Sequence, residues 1–250
     1  MPIRFTLRAS GGPALVAVAA LAVVGCGAGP GKPASELAPP EPASASASAS
    51  VSPSALASAS RPLTAEQLVS AALPQESPDE DWHPVSVREP QVSDRDYQVS
   101  DPACRQLLAA AHARRPSQPA PAVVGQTFNW EDDNGGASTL ASYGNSGAVA
   151  VFAEVREGLS TCRYYESPAP TTTYKGTVTV GPAPRLGDEA VQFEITAPTE
   201  VGPHVTQYTV VRTGSVIATF TKLSVGGRDI RAFPPAMIAQ QISLLQQAQS

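Results

Sequence analysis

The chain has 250 residues, with 17 Lys and Arg against 22 Asp and Glu, and a formal charge of −5 at neutral pH. Arg4, Arg8, Lys32, Arg61, Glu36 and Glu41 precede residue 62, so the rest carries 13 basic and 20 acidic groups and a formal charge of −7. That excess repels phosphate backbones, and no basic stripe interleaved with aromatics offsets it, which excludes nucleic acid as an expected partner.

The first 25 residues read as an export signal. Arg4 and Arg8 form a positive start, and residues 14–24 are an unbroken apolar run. Spanning a bilayer takes roughly 20 apolar residues in a helix, whereas the core of a cleaved signal needs about 7–15, so this run is too short to be a span. The glycines that follow, in LAVVGCGAGPGK, do not form a phosphate-binding loop. Cys26 stands where the first glycine of such a loop belongs, and Pro33 replaces the hydroxyl that would hold magnesium. Val23-Val24-Gly25-Cys26 instead resembles the bacterial lipobox. That resemblance implies diacylglycerol on the Cys26 sulfur, cleavage in front of Cys26, and a chain held at the extracytoplasmic face of the cell membrane. The alternative is an ordinary secretory signal cut at a nearby small residue, with Cys26 incidental.

From Cys26 to residue 61 the chain is almost entirely Ala, Ser, Pro and Gly. Such a composition has too little apolar bulk to offset the entropy of ordering and is expected to act as a disordered tether. As a coil, the 35 residues after Cys26 would span roughly 33 Å. With Cys26 assigned to lipid, Cys104 and Cys162 remain as one pair for an oxidising compartment, a disulfide being preferred over two buried thiols. Neither lies in a C-x-x-C or has a histidine at zinc-ligand spacing.

Residues 62–250 make one domain of ordinary size. In LTAEQL, Thr64 and Gln67 form a capping box, with Leu63 placed to staple onto Leu68 and Pro74 ending the segment. Asp101 caps the next helix with Pro102 at its first position, so that Cys104, Leu107, Leu108 and Ala111 share a face. Two strands, residues 123–130 and 137–143, flank EDDNGG as a hairpin, with Asn134-Gly135 as its two-residue turn. A third helix over 147–164 points Phe152, Val155, Leu159 and Cys162 inward, with Asn145 and Ser146 as capping residues. Val178 and Val180, then Val191, Phe193 and Ile195, then 205–212 and 215–221 alternate with period two, the last two runs joined at Thr213-Gly214. After Pro234-Pro235, Met237, Ile238, Ile242 and Leu245 define the inner side of a final helix, with Gln240, Gln241, Gln246 and Gln247 on the outer side. Hairpins without β-α-β alternation predict an α+β domain: an antiparallel sheet of about six strands packed with about four helices, with one disulfide between helices.

No catalytic, metal or cofactor site is expected. His112, Asp132 or Asp133, and Ser146 occur in the order of a serine-protease triad, but 34 residues between His112 and Ser146 cannot build the two barrels that assemble one. The plainer reading places His112 at a helix end that favours its partial positive charge. Asp132 and Asn134 resemble the start of a calcium loop, whose twelfth position should be glutamate and is Tyr143. The acidic SPDEDW reads as a solvated loop, and His83 and His204 stand alone.

The order of these elements, with LTAEQL, the cysteine-bearing helix, ASYGNSGAVAVFAEVREGLSTCRYY, GDEAVQF, VVRTGSVIATF and the Gln-rich terminal helix, resembles the PknH-like extracellular sensor domain. That family includes receptor-kinase ectodomains and lipoproteins of actinobacteria. The resemblance covers roughly residues 62–248. It implies an antiparallel sheet packed with helices and a cleft for an unidentified ligand: a small molecule, a lipid or an envelope component. Members can carry a second disulfide, which this chain lacks. An accessory lipoprotein docking a membrane kinase or transporter is the alternative function, and a hydrolase a weaker one.

Overall fold

The computed structural model describes residues 61–74, 82–88, 98–114, 119–130, 134–144, 146–168, 172–226 and 232–250. Cys26 with the signal and tether, the acidic run 77–81, Asp132, Asp133 and Asn145 lie outside these residues. In chain order the elements are α1 (Ala65–Ser70), β1 (Trp82–Arg88), α2 (Pro102–Ala111), β2 (Ala122–Trp130), β3 (Gly135–Ser142), α3 (Gly147–Thr161), β4 (Tyr164–Pro168), β5 (Thr173–Val180), β6 (Glu189–Thr199), β7 (Gly202–Thr213), β8 (Val216–Val225) and α4 (Pro235–Gln249). No helix among the described residues is long and apolar enough to cross a membrane.

All strands join one antiparallel sheet in the order β1-β2-β3-β8-β7-β6-β5-β4. The expected α+β class and four helices hold, but the sheet has eight strands where six were predicted. The additions, β1 and β4, are its two edges, and neither alternates cleanly in sequence. Tyr164 opens β4, so α3 stops at Thr161, short of its expected end.

The pleat sends successive side chains to opposite faces, and both faces are covered. Tyr208, Val210, Ile217 and Phe193 join the cluster built by α2 and α3. Val211, Val216, Ala218 and Phe220 join the one built by α1 and α4. Against α2, α3 presents Gly158, where a Cβ would lie 2.8 Å from the Leu107 Cβ, so only glycine permits this approach. Beside that contact the Cys104–Cys162 disulfide joins α2 to the residue capping α3, with both cysteines fully buried.

Local capping follows the sequence at α1 and α2. Thr64 and Gln67 close a capping box, and the Asp101 carboxylate accepts from the Cys104 N–H at 2.8 Å. The other caps differ from expectation. Ser146 precedes α3 with a left-handed φ of 65° and makes no side-chain capping bond. Gly135 is already in β3 opposite Asn129, so Asn134-Gly135 is not a two-residue turn and the connection is longer. The β7–β8 turn is one residue later than predicted: Thr213 pairs with Val216, leaving Gly214 and Ser215 at the bend, with Gly214 at φ 56°. Asp188 fixes this bend by accepting from the Gly214 N–H at 2.7 Å while pairing with Arg212, whose Nε also reaches Glu189 at 2.7 Å.

The largest correction concerns α4. Gln241 does not face out. It is fully buried, accepting from the Leu73 N–H at 3.0 Å and donating to the Ala71 carbonyl. Gln126, also buried, donates to the Leu73 carbonyl at 2.9 Å, so two carboxamides hold the chain leaving α1 against α4 and the sheet.

The outer strand β4 has features that limit further pairing. On β4 the Glu166 carbonyl accepts from the Ser100 N–H at 2.8 Å and the Glu166 N–H donates to the Ser100 hydroxyl, while Pro168 has no N–H to offer. Inside the sheet, β5 leaves β6 after Thr177 and Thr196, and Pro198 lacks the N–H that would continue the ladder.

Candidate binding surfaces

Of the residues of the faint protease echo, Asp132 and Asp133 lie outside the described residues, Ser146 precedes α3, and His112 has a defined packing environment. His112 caps α2 just beyond the point where Thr219 donates to the Ala111 carbonyl. Its ring meets Tyr208 edge-on, with centroids 5.5 Å apart and Nε2 3.4 Å from the hydroxyl. Tyr208 in turn stacks on Phe193 at 4.6 Å. This is a packed junction between helix and sheet. Desolvation, with a smaller contribution from Arg114, depresses the His112 pKa from 6.5 to about 4. The imidazole is therefore neutral at pH 7, and the favourable positive charge expected at the helix end is absent.

This depression makes stability pH-dependent. As pH falls, the unfolded chain takes the proton at about 6.5 and the folded chain only near 4, so stability from this group is complete above 6.5 and lost between those values. The loss is expected to reach at most about 3 kcal/mol. Urea midpoints measured from pH 7 to 4 for the natural chain and for His112→Gln should diverge, the variant falling less. Parallel profiles would contradict the assignment.

Two polar groups escaped the reading of the sequence. Lys222 is buried (2% exposed), with Nζ 2.9 Å from the Asn134 carbonyl and 4.4 Å from the centroid of a Trp130 ring. Its signal was available, because Val216, Ala218 and Phe220 alternate inward and position 222 continues the series. His204, read as isolated, lies edge-on to Tyr174 at 6.5 Å, and Tyr174 meets Tyr165 at 6.0 Å. These rings join β4, β5 and β7 through contacts that no local pattern encodes.

An open groove of about 530 Å³ runs between α1 and α4. Leu244, Ala71 and Ala248 supply apolar lining, with Glu66, Gln67 and Gln247 as polar groups. Its volume is within the range of small-ligand sites. Among the described residues, no group of three or more His, Cys, Asp or Glu side chains is placed to hold a metal.

The architecture has a counterpart among solved structures. The extracellular domain of PknH from Mycobacterium tuberculosis superposes with a TM-score of 0.56 at 14% identity, over 75% of this chain and 98% of that one. The chain shares that fold. An uncharacterized protein of Mycobacterium smegmatis, the Rv0999 ortholog, aligns over 74% of this chain and 92% of that one at 14% identity, with a TM-score of 0.34. No family model matches the sequence, and no curated protein matches it.

Proposed function

We propose that this chain is a lipid-anchored extracytoplasmic binding module, a non-enzymatic sensor-like domain that takes up a small molecule, lipid or envelope component. The observation that carries the reading is the fold shared with nearly the whole PknH extracellular domain. Two features support it. The sequence preceding the domain combines an export signal, a lipobox-like Cys26 and a 35-residue Ala/Ser/Pro tether. His112, the base of the tempting triad, is neutral and packed on Tyr208. On this reading the acyl chains hold the protein at the membrane by burial of about 0.8 kcal/mol per CH₂, two chains sufficing where one does not.

Native mass spectrometry of the protein released from its host's membranes tests both parts. The expected spectrum shows a chain beginning at Cys26 with diacylglycerol mass and a non-covalent adduct of defined mass. A Cys26 without acyl mass would remove the anchor, and a bare chain under gentle release would count against the ligand.

A further inference from the structure

The groove between α1 and α4 is braced at both ends. Gln241 of α4 accepts from the Leu73 N–H and donates to the Ala71 carbonyl, just past the end of α1. At the other end Ser215 donates its hydroxyl to the Arg61 carbonyl, ahead of α1, and its N–H to Gln249, near the end of α4. Walls held in place before a ligand arrives lose little entropy when one binds. The volume of about 530 Å³ suits a small molecule.

Its chemistry is one-sided. From residue 62 to 74 and from 233 to 250, Glu66 is the only ionisable side chain, so the groove has a single negative charge and no cation on its walls. Among the described residues no ion pair engages that carboxylate. The neighbouring polar groups add acceptors. Ser70 uses its only hydroxyl proton on the Glu66 carbonyl at 3.0 Å, which leaves the oxygen's lone pairs. Gln247 donates to Ser243 at 3.2 Å and keeps its carbonyl oxygen for a ligand. Gln67 receives the Thr64 N–H at its oxygen, so its NH₂ is a donor, but an uncharged one. A carboxylate in the first turn of a helix is ordinary in itself. Here it lines a braced groove in a domain of formal charge −7, whose field draws cations and repels anions.

We propose that this groove binds a primary ammonium carried on a short aliphatic stem, with the ammonium on Glu66 and the stem along Leu244, Ala71 and Ala248. A primary ammonium has three donors and no acceptor, which suits a carboxylate, the Ser70 hydroxyl oxygen and the Gln247 carbonyl. An anion would be repelled by Glu66, and a neutral alcohol would leave its charge unpaired. The assignment rests on the reading of the chain as a binding module and gives that reading a ligand class.

The test titrates the full chain, held in phosphatidylcholine nanodiscs, with n-hexylammonium, hexanol and hexanoate, and reads backbone amide shifts by NMR. Hexylammonium should give saturable shifts confined to α1 and residues 244–248, more tightly than methylammonium and at least about tenfold more tightly than hexanol or hexanoate. Glu66→Gln should weaken hexylammonium at least about tenfold, while thermal melting stays unchanged because the side chain is exposed. Glu157→Gln, which removes an exposed carboxylate from α3, should leave binding unchanged. Replacing part of the lipid by phosphatidylethanolamine separates two sources of the ammonium: groove shifts without added amine assign it to a headgroup, and shifts only with added amine to a soluble molecule. No saturable shift below about 10 mM, equal affinity for hexanol, indifference to Glu66→Gln, or an equal loss from Glu157→Gln would each overturn the proposal. A silent groove in a protein that carries a native adduct would remove this assignment and leave the binding-module reading standing.

Discussion

Gln241→Leu is expected to destabilise the domain by about 2–5 kcal/mol, because two buried backbone groups lose their partners at once. The side chain is fully buried, and it alone meets the Leu73 N–H and the Ala71 carbonyl in the described structure. Leucine matches the volume closely but can neither donate nor accept. The stranded N–H and C=O sit among Leu68, Leu73, Ile238 and Ile242, where water cannot replace the lost bonds without opening the cluster. Gln240→Leu is the control, since position 240 is exposed and a surface change there should cost less than about 0.5 kcal/mol. Urea denaturation of both variants measures the difference. Equal midpoints would mean that the carboxamide does not hold α1 to α4.

Removing the disulfide is the second large effect. Cys104→Ala with Cys162→Ala is expected to cost about 2–5 kcal/mol; the chain-entropy estimate for the 58-residue separation is roughly 4 kcal/mol. Position matters as well as loop length. The bridge lies beside the Gly158–Leu107 contact, where α2 and α3 are too close to admit a Cβ on Gly158, and it holds together the two helices that cover Phe193, Tyr208 and Val210. Both cysteines are fully buried, so a reductant should act on the folded domain far more slowly than on the chain in urea. Reduction rates with and without denaturant, read by thiol alkylation at Cys104 and Cys162, check the burial; the midpoint of the double variant checks the energy. Equal reduction rates would contradict the buried placement.

Much of the fold was legible from local chemistry. The Thr64–Gln67 box and the Asp101-Pro102 start each involve groups within four residues, and both occur as read. Period two identified β5 and β6, where one face is buried more deeply than the other and buried positions alternate with less buried ones; it also located β7 and β8, which the structure buries in longer runs. It missed β1, which carries Pro84, and β4, whose edge depends on Ser100 from outside the sheet. Lys222 shows a signal available but unused: the alternation of β8 pointed it inward. Gln241 is similar. It lies three residues after Ile238 and four before Leu245, on the helix's inner stripe, yet its polarity argued for solvent until Leu73 was seen beside it.

By itself the sequence determined the class of the domain, its helix starts, its longer strands and the pair of cysteines left for each other. Each depends on side-chain period, capping groups or counting, which act over a few residues or on composition. Only the tertiary structure decided the strand order, the edges, the neutral state of His112 and the inward turn of Gln241. Those depend on partners distant in the chain, 96 residues from His112 to Tyr208 and 168 from Leu73 to Gln241, and a local pattern contains no information about what will pack against it.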